Sequence, residues 1–172
     1  MNVKAEKFQE FLKEQQITVF EVEEITDDFN SVVFRSRMEV ENQMLPTIVI
    51  LDDSIYALLR IQIAEKLVKD SNKAAVWELI NELNQKYKIF KYYVTEDGSL
   101  VLDCCMPCTN DTFEGNMVRM IIDVALQHLI EFYPAIMKTV WSGEKQDLAM
   151  PAAVVAAEEV KAEEKPKKEA KN

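Results

Sequence analysis

Apolar and polar residues alternate most cleanly from Val32 to Val40. Val32, Phe34, Met38 and Val40 share one side, and Arg35, Arg37 and Glu39 share the other. A period of two predicts a strand with one face in a core and one in water. Two more β runs follow, Thr47–Leu51 and Ile55–Ile63, around Asp52-Asp53-Ser54, whose residues favour turns, so a hairpin is expected. A second hairpin is expected where Ile89–Thr95 and Leu100–Cys105 flank Glu96-Asp97-Gly98-Ser99. Ile17–Glu23 reads as a further short strand closed by Thr26-Asp27-Asp28.

Helical spacing marks three other stretches. Phe8, Phe11 and Leu12 fall on one face of a predicted helix over Val3–Glu14. Val76, Ile80, Leu83 and Tyr87 form the buried stripe of a helix over Lys73–Tyr87, with Ser71 or Asn72 as its cap. The last helix is expected over Thr112–Phe132, with Pro134 starting a further turn through Trp141. Its polar positions Asn116, Arg119, Asp123, Gln127 and Glu131 form one narrow stripe, and nearly everything else is apolar. Packing on a sheet needs an apolar arc of only about 100°. The excess calls for a second layer or a second subunit, because large apolar patches are rare on monomers.

From Ser142 the chain turns to Ala, Val, Glu, Lys and Pro without an aromatic residue, which predicts a disordered tail over 142–172 behind a single α+β domain over 1–141. The chain has 172 residues, enough to bury a core without disulfides or metals. The formal charge is −10. Ala149–Asn172 holds five Glu and five Lys, so the whole imbalance, 25 acidic against 15 basic residues, lies in Met1–Leu148. Such a chain lacks the basic footprint for nucleic acid or an anionic membrane surface, and its charge suits solubility or a basic partner. The N-terminus leads into an amphipathic segment, not a secretory signal, and no apolar run approaches the roughly 20 residues that span a bilayer, so a cytoplasmic protein is expected.

Three cysteines, Cys104, Cys105 and Cys108, cluster at the end of a predicted strand. Cys105-Met-Pro-Cys108 has the spacing of a dithiol motif. Redox work needs a low-pKa thiolate at a helix start. Here the helix begins only after Thr109-Asn-Asp, and Asp103 and Asp111 would raise a thiol pKa. The cluster is read as a cysteine-rich strand end, with thiol–disulfide chemistry through Cys105 and Cys108 as the alternative. Zinc would need His128, the single His, as fourth ligand, yet His128 stands alone on a long helix and adjacent Cys104 and Cys105 point to opposite strand faces. His128 is read as a residue bordering the polar stripe, not a base. With three Gly in the chain a phosphate-cradling loop is excluded. The pairs Glu23/Glu24, Asp27/Asp28 and Asp52/Asp53 read as solvated loop charges, and Met44, Met117 and Met120 suit either a core or an adaptable surface. No catalytic residue, metal site or cofactor is expected.

The element order is helix, four strands, helix, two strands, helix. Glu78-Leu-Ile-Asn-Glu-Leu-Asn84, Phe90-Lys-Tyr-Tyr-Val-Thr-Glu-Asp-Gly-Ser-Leu-Val-Leu, Met106-Pro107 and Glu131-Phe-Tyr-Pro134 resemble the YbjN-like family, which has the fold of type III secretion chaperones. The match is best from Lys73 to Trp141; earlier residues match by element order. The resemblance implies an antiparallel sheet of about six strands with helices packed on it, in a bacterial, non-enzymatic, often dimeric protein. Secretion chaperones of this fold bind extended segments of other proteins, and the YbjN-like branch is sensory or regulatory. The Cys cluster departs from the family pattern. The expected function is a chaperone-like homodimer, formed through the last helix or a sheet edge, that engages a partner polypeptide through a sheet edge or an apolar groove.

Overall fold

The computed structural model describes residues 1–148. Its elements are α1 (Val3–Glu14), β1 (Glu21–Glu24), β2 (Val32–Val40), β3 (Gln43–Leu51), β4 (Tyr56–Ala64), α2 (Lys73–Lys86), β5 (Lys91–Val94), β6 (Leu100–Pro107) and α3 (Gly115–Ser142). The strands form one antiparallel sheet in the order β1-β2-β3-β4-β6-β5. This is the α+β order that the sequence predicts.

The β2 alternation sets which face is buried. Phe34 opposes Val49, which opposes Leu59, which opposes Cys104, and all four side chains lie in the core. The helices supply the other half of that core: Phe8 of α1 meets Phe34, and His128 of α3 meets Tyr92. The opposite face carries Arg35, Ile48, Arg60 and Asp103 in one cross-strand row and Val33, Ile50, Leu58 and Cys105 in the next.

Several boundaries move, each for a local reason. β3 begins at Gln43, four residues before the expected start, because Glu41 and Asn42 adopt φ of 49° and 61° and make a two-residue turn between Val40 and Gln43. Positive φ at both central positions gives the turn a twist that suits a hairpin. The expected strand Ile17–Glu23 pairs only from Glu21 onward. Its first part stands off the sheet, and there Phe20 packs onto Phe8 and Phe34, with ring centroids 5.8 and 6.4 Å apart. α3 runs unbroken through Pro134. Pro134 lies on the exposed face, so the carbonyl it leaves without a donor, at half-exposed Ile130, can be hydrated. Ile136 and Val140 continue the buried side.

By length and composition α3 could cross a bilayer, contrary to expectation, but ten of its residues are buried in this fold. Much of its wide apolar arc packs within the chain: Met117, Ile121, Ile122, Leu126 and Met137 lie against the core, leaving Met120, Val124, Ile130 and Trp141 exposed. Of the residues expected in the tail, Ser142 ends α3 and Gly143–Leu148 folds back. Lys145 reaches Glu82 at 3.0 Å, the Gln146 N–H donates to Thr139 Oγ1, and Leu148 is buried. The rest of the expected tail lies outside the described residues.

Polar side chains lock the layers together. Asn2 caps α1 by accepting from the Ala5 N–H, and its amide donates to the Asn30 and Leu51 carbonyls. Lys4, fully buried, donates Nζ to the carbonyls of Ser54 and Tyr56 at 2.7 and 2.5 Å, which fixes the β3–β4 turn to α1. Asn72 accepts from the Lys69 N–H and donates to Val140 O, tying the start of α2 to the end of α3. Asn84 acts as a surrogate strand for β5: its amide donates to Tyr92 O at 3.0 Å and its carbonyl accepts from Tyr92 N at 2.7 Å.

His128 is a core residue, not a boundary one. It hydrogen-bonds to Tyr92 Oη at 2.8 Å, and the rings of Tyr87, Phe90 and Phe132 surround it at 4.4, 4.5 and 4.9 Å. Burial lowers its pKa to about 4.

Two predictions follow from these contacts. Asn84→Ala leaves the Tyr92 backbone unpaired and costs about 1–3 kcal/mol in urea unfolding; an unchanged midpoint would contradict the surrogate-strand role. The unfolded chain binds a proton at His128 near pH 6.5 and the folded chain only near pH 4. This contribution to stability is therefore complete above pH 6.5 and falls by up to about 3 kcal/mol as pH drops to 4. NMR of the imidazole should find a midpoint well below 6; a midpoint near 6.5 would refute the burial argument.

Candidate functional site

The splaying of Ile17–Phe20 away from β2 leaves space between α1, α3 and the β2–β3 hairpin. Leu12, Ile17, Phe20, Met38, Ile122 and Leu126 line it, and Arg37, Glu39, Arg119 and Asp123 form its rim. The volume is about 360 Å3, with walls that are mainly apolar. Each wall is placed by the local fold. α1 brings Leu12 in from the face that also buries Ala5 and Phe8. α3 approaches α1 closely because Gly115 has no side chain: a Cβ there would lie 2.5 Å from the Phe11 ring. On the rim, Arg119 and Asp123 face each other one helical turn apart, at 3.9 Å. The cleft is therefore an apolar trough with charged edges, and the hydroxyls of Ser36 and Thr47 also border it.

The cysteines are not brought together as a dithiol. Cys104 belongs to the core, Cys105 is exposed on the face away from the helices, and Cys108 is buried in the core with its N–H donating to Ile55 O. Burial raises all three thiol pKa values, that of Cys104 to about 11. Asp103 adds to the rise at Cys104 and Cys105. Among the described residues no three His, Cys, Asp or Glu side chains converge as metal ligands. His128 sits in its aromatic shell against Tyr92 and Phe132.

The acidic pairs have structural partners. Asp27 accepts from the Ser31 and Phe29 N–H groups, which holds it below the usual carboxylate range, and Asp52 accepts from Ser54. Glu23 pairs with Arg35. On the open face, Asp103 receives two bonds from Arg60 and one from Tyr93 Oη, a compact cluster with its polar atoms satisfied. Met44 and Met120 are exposed and Met117 is partly buried. The cleft itself escaped sequence reasoning. Its walls join α1 and β2, near the start of the chain, to the distant α3, and the one available signal was the surplus of apolar residues on α3.

No curated protein matches the chain. A family model does, over residues 5–138, from α1 almost to the end of α3, and its description is “Putative bacterial sensory transduction regulator”. The match spans the cleft and every strand of the sheet, and the chain belongs to this family, YbjN.

Proposed function

We propose that this protein is a non-enzymatic regulatory module of the cytoplasm that works as a homodimer and holds an extended segment of a partner polypeptide in the cleft beside β2. The observation that carries the reading is the cleft: mainly apolar, with charged residues at its rim. The family description, a sensory transduction regulator, supports a regulatory role. The net charge of −10 favours a segment with basic residues between its apolar ones, because an acidic surface steers cations toward it. Three free thiols suit a reducing compartment.

Cationic peptides with alternating Leu or Val should bind, with affinity that falls as salt rises. Leu126→Asp should weaken that binding about tenfold or more, while leaving the circular dichroism spectrum unchanged. Equal binding by the variant, or no binding of any such peptide, would sink the reading. The rival, a thiol–disulfide role for Cys105 and Cys108, predicts insulin reduction that Cys105→Ser abolishes. The raised thiol pKa values predict none, with Cys105 alone reacting with a thiol reagent in the folded protein.

A further inference from the structure

β2 is left half-paired. Its two-residue turn makes Val40 and Gln43 a hydrogen-bonded pair, so even-numbered residues of β2 direct their N–H and C=O groups at β3 and odd-numbered ones direct them away. Arg35 and Val33 meet Glu21 and Glu23 of β1, and the Ile25 N–H to Ser31 O bond, 2.8 Å, continues the same ladder. Arg37 and Glu39 lie past the end of β1. Among the described residues, nothing hydrogen-bonds to their outward backbone groups. Other edges are blunted. β1 is four residues long with three Glu, β5 is bonded by Asn84, and β3 carries Pro46 where its pairing with β4 ends.

We propose that this bare edge pairs with the same edge of a second copy, antiparallel, about a twofold axis at Met38. This rests on the homodimer proposed above and names its surface. Charge selects the register. An axis at Met38 sets Arg37 opposite Glu39 of the other copy, and Glu39 opposite its Arg37. Both pairs are hydrogen-bonding positions, and both are opposite in charge. An axis at Arg37 would oppose two arginines and press Glu39 onto Arg35, whose edge β1 already holds. An axis at Glu39 would oppose two glutamates. Only the Met38 register satisfies the backbone of both residues without a like-charge pair. Val19 and Met44, 65% and 52% exposed beside this edge, are the apolar side chains that pairing would cover. The arrangement is isologous and closes on itself, so it yields a dimer and not a filament. Arg37 and Glu39 also stand on the rim of the cleft, so the pairing borders the cleft of each copy.

Sedimentation velocity of the full chain, from nanomolar to high micromolar concentration, tests this. The wild type should self-associate to a dimer. Arg37→Glu and Glu39→Arg should each weaken it about tenfold or more, since each sets like charges face to face. The double variant Arg37→Glu/Glu39→Arg should restore it. Both substituted positions are exposed, and unfolding midpoints of the three variants serve as the control for folding. Single variants that dimerise as well as the wild type would overturn this interface and leave the homodimer standing. A double variant as weak as the single ones would overturn the register. A wild type that stays monomeric throughout would remove the homodimer as well.

Discussion

Phe8 is the contact on which the rest of the arrangement turns. Its ring meets Phe34 at 4.9 Å, Phe20 at 5.8 Å and Phe113 at 6.4 Å, so α1, the approach to β1, β2 and the entry to α3 all converge on one side chain. Aromatic pairs of this kind add about 0.5–1.5 kcal/mol each beyond the area they bury. Phe20 packs into this cluster where Ile17–Phe20 stands off β2. In the same region pairing with β1 starts only at Glu21, the cleft opens on the helix side, and the Arg37–Glu39 edge is without a strand. Core packing and candidate function therefore meet at one place.

The second constraint is that three helices cover only one face of a six-stranded sheet. The other face must be made tolerable to water. It is, by cross-strand charge: Glu23 with Arg35, and Arg60 with Asp103 and Tyr93, border the row Val33, Ile50, Leu58 and Cys105. Exposed pairs of this sort add little stability. Their effect is to keep the apolar row narrow. The edges are treated separately, by Glu on β1, Asn84 on β5 and Pro46 on β3. Against that background the untreated edge of β2 stands out as a surface for pairing.

What the sequence made legible follows from how local each signal is. The β2 alternation and the Asp97-Gly98 turn are written in neighbouring residues, and both appear as expected; Gly98 has φ of 83°, and a Cβ there would meet the Val68 carbonyl. The Glu41-Asn42 turn was hidden because Glu is not a residue that favours positive φ. Pro134 misled because its cost depends on which side of the helix it faces, a tertiary fact. His128 was misplaced, and the burial of Lys4 was not foreseen, for a related reason. A polar residue enters a core only when partners await it, here Tyr92 and the carbonyls of Ser54 and Tyr56, and those partners are distant in sequence. Asn84 was quoted only as part of a family motif, and its bonds to Tyr92 give that motif a physical reason. The cleft is the least legible feature, since α1, β2 and α3 contribute to it separately.

The proposed dimer joins two copies through the backbone of Arg37 and Glu39. Hydrogen exchange of the segment Ser36–Val40, followed as protein concentration rises, reads that backbone directly. The account predicts rapid exchange of the Arg37 and Glu39 amides at nanomolar concentration and marked protection at micromolar concentration, with Met38 slow at both because it is bonded to β3. Exchange of Arg37 and Glu39 that is equally fast at every concentration, in a protein that is dimeric at the higher one, would contradict it.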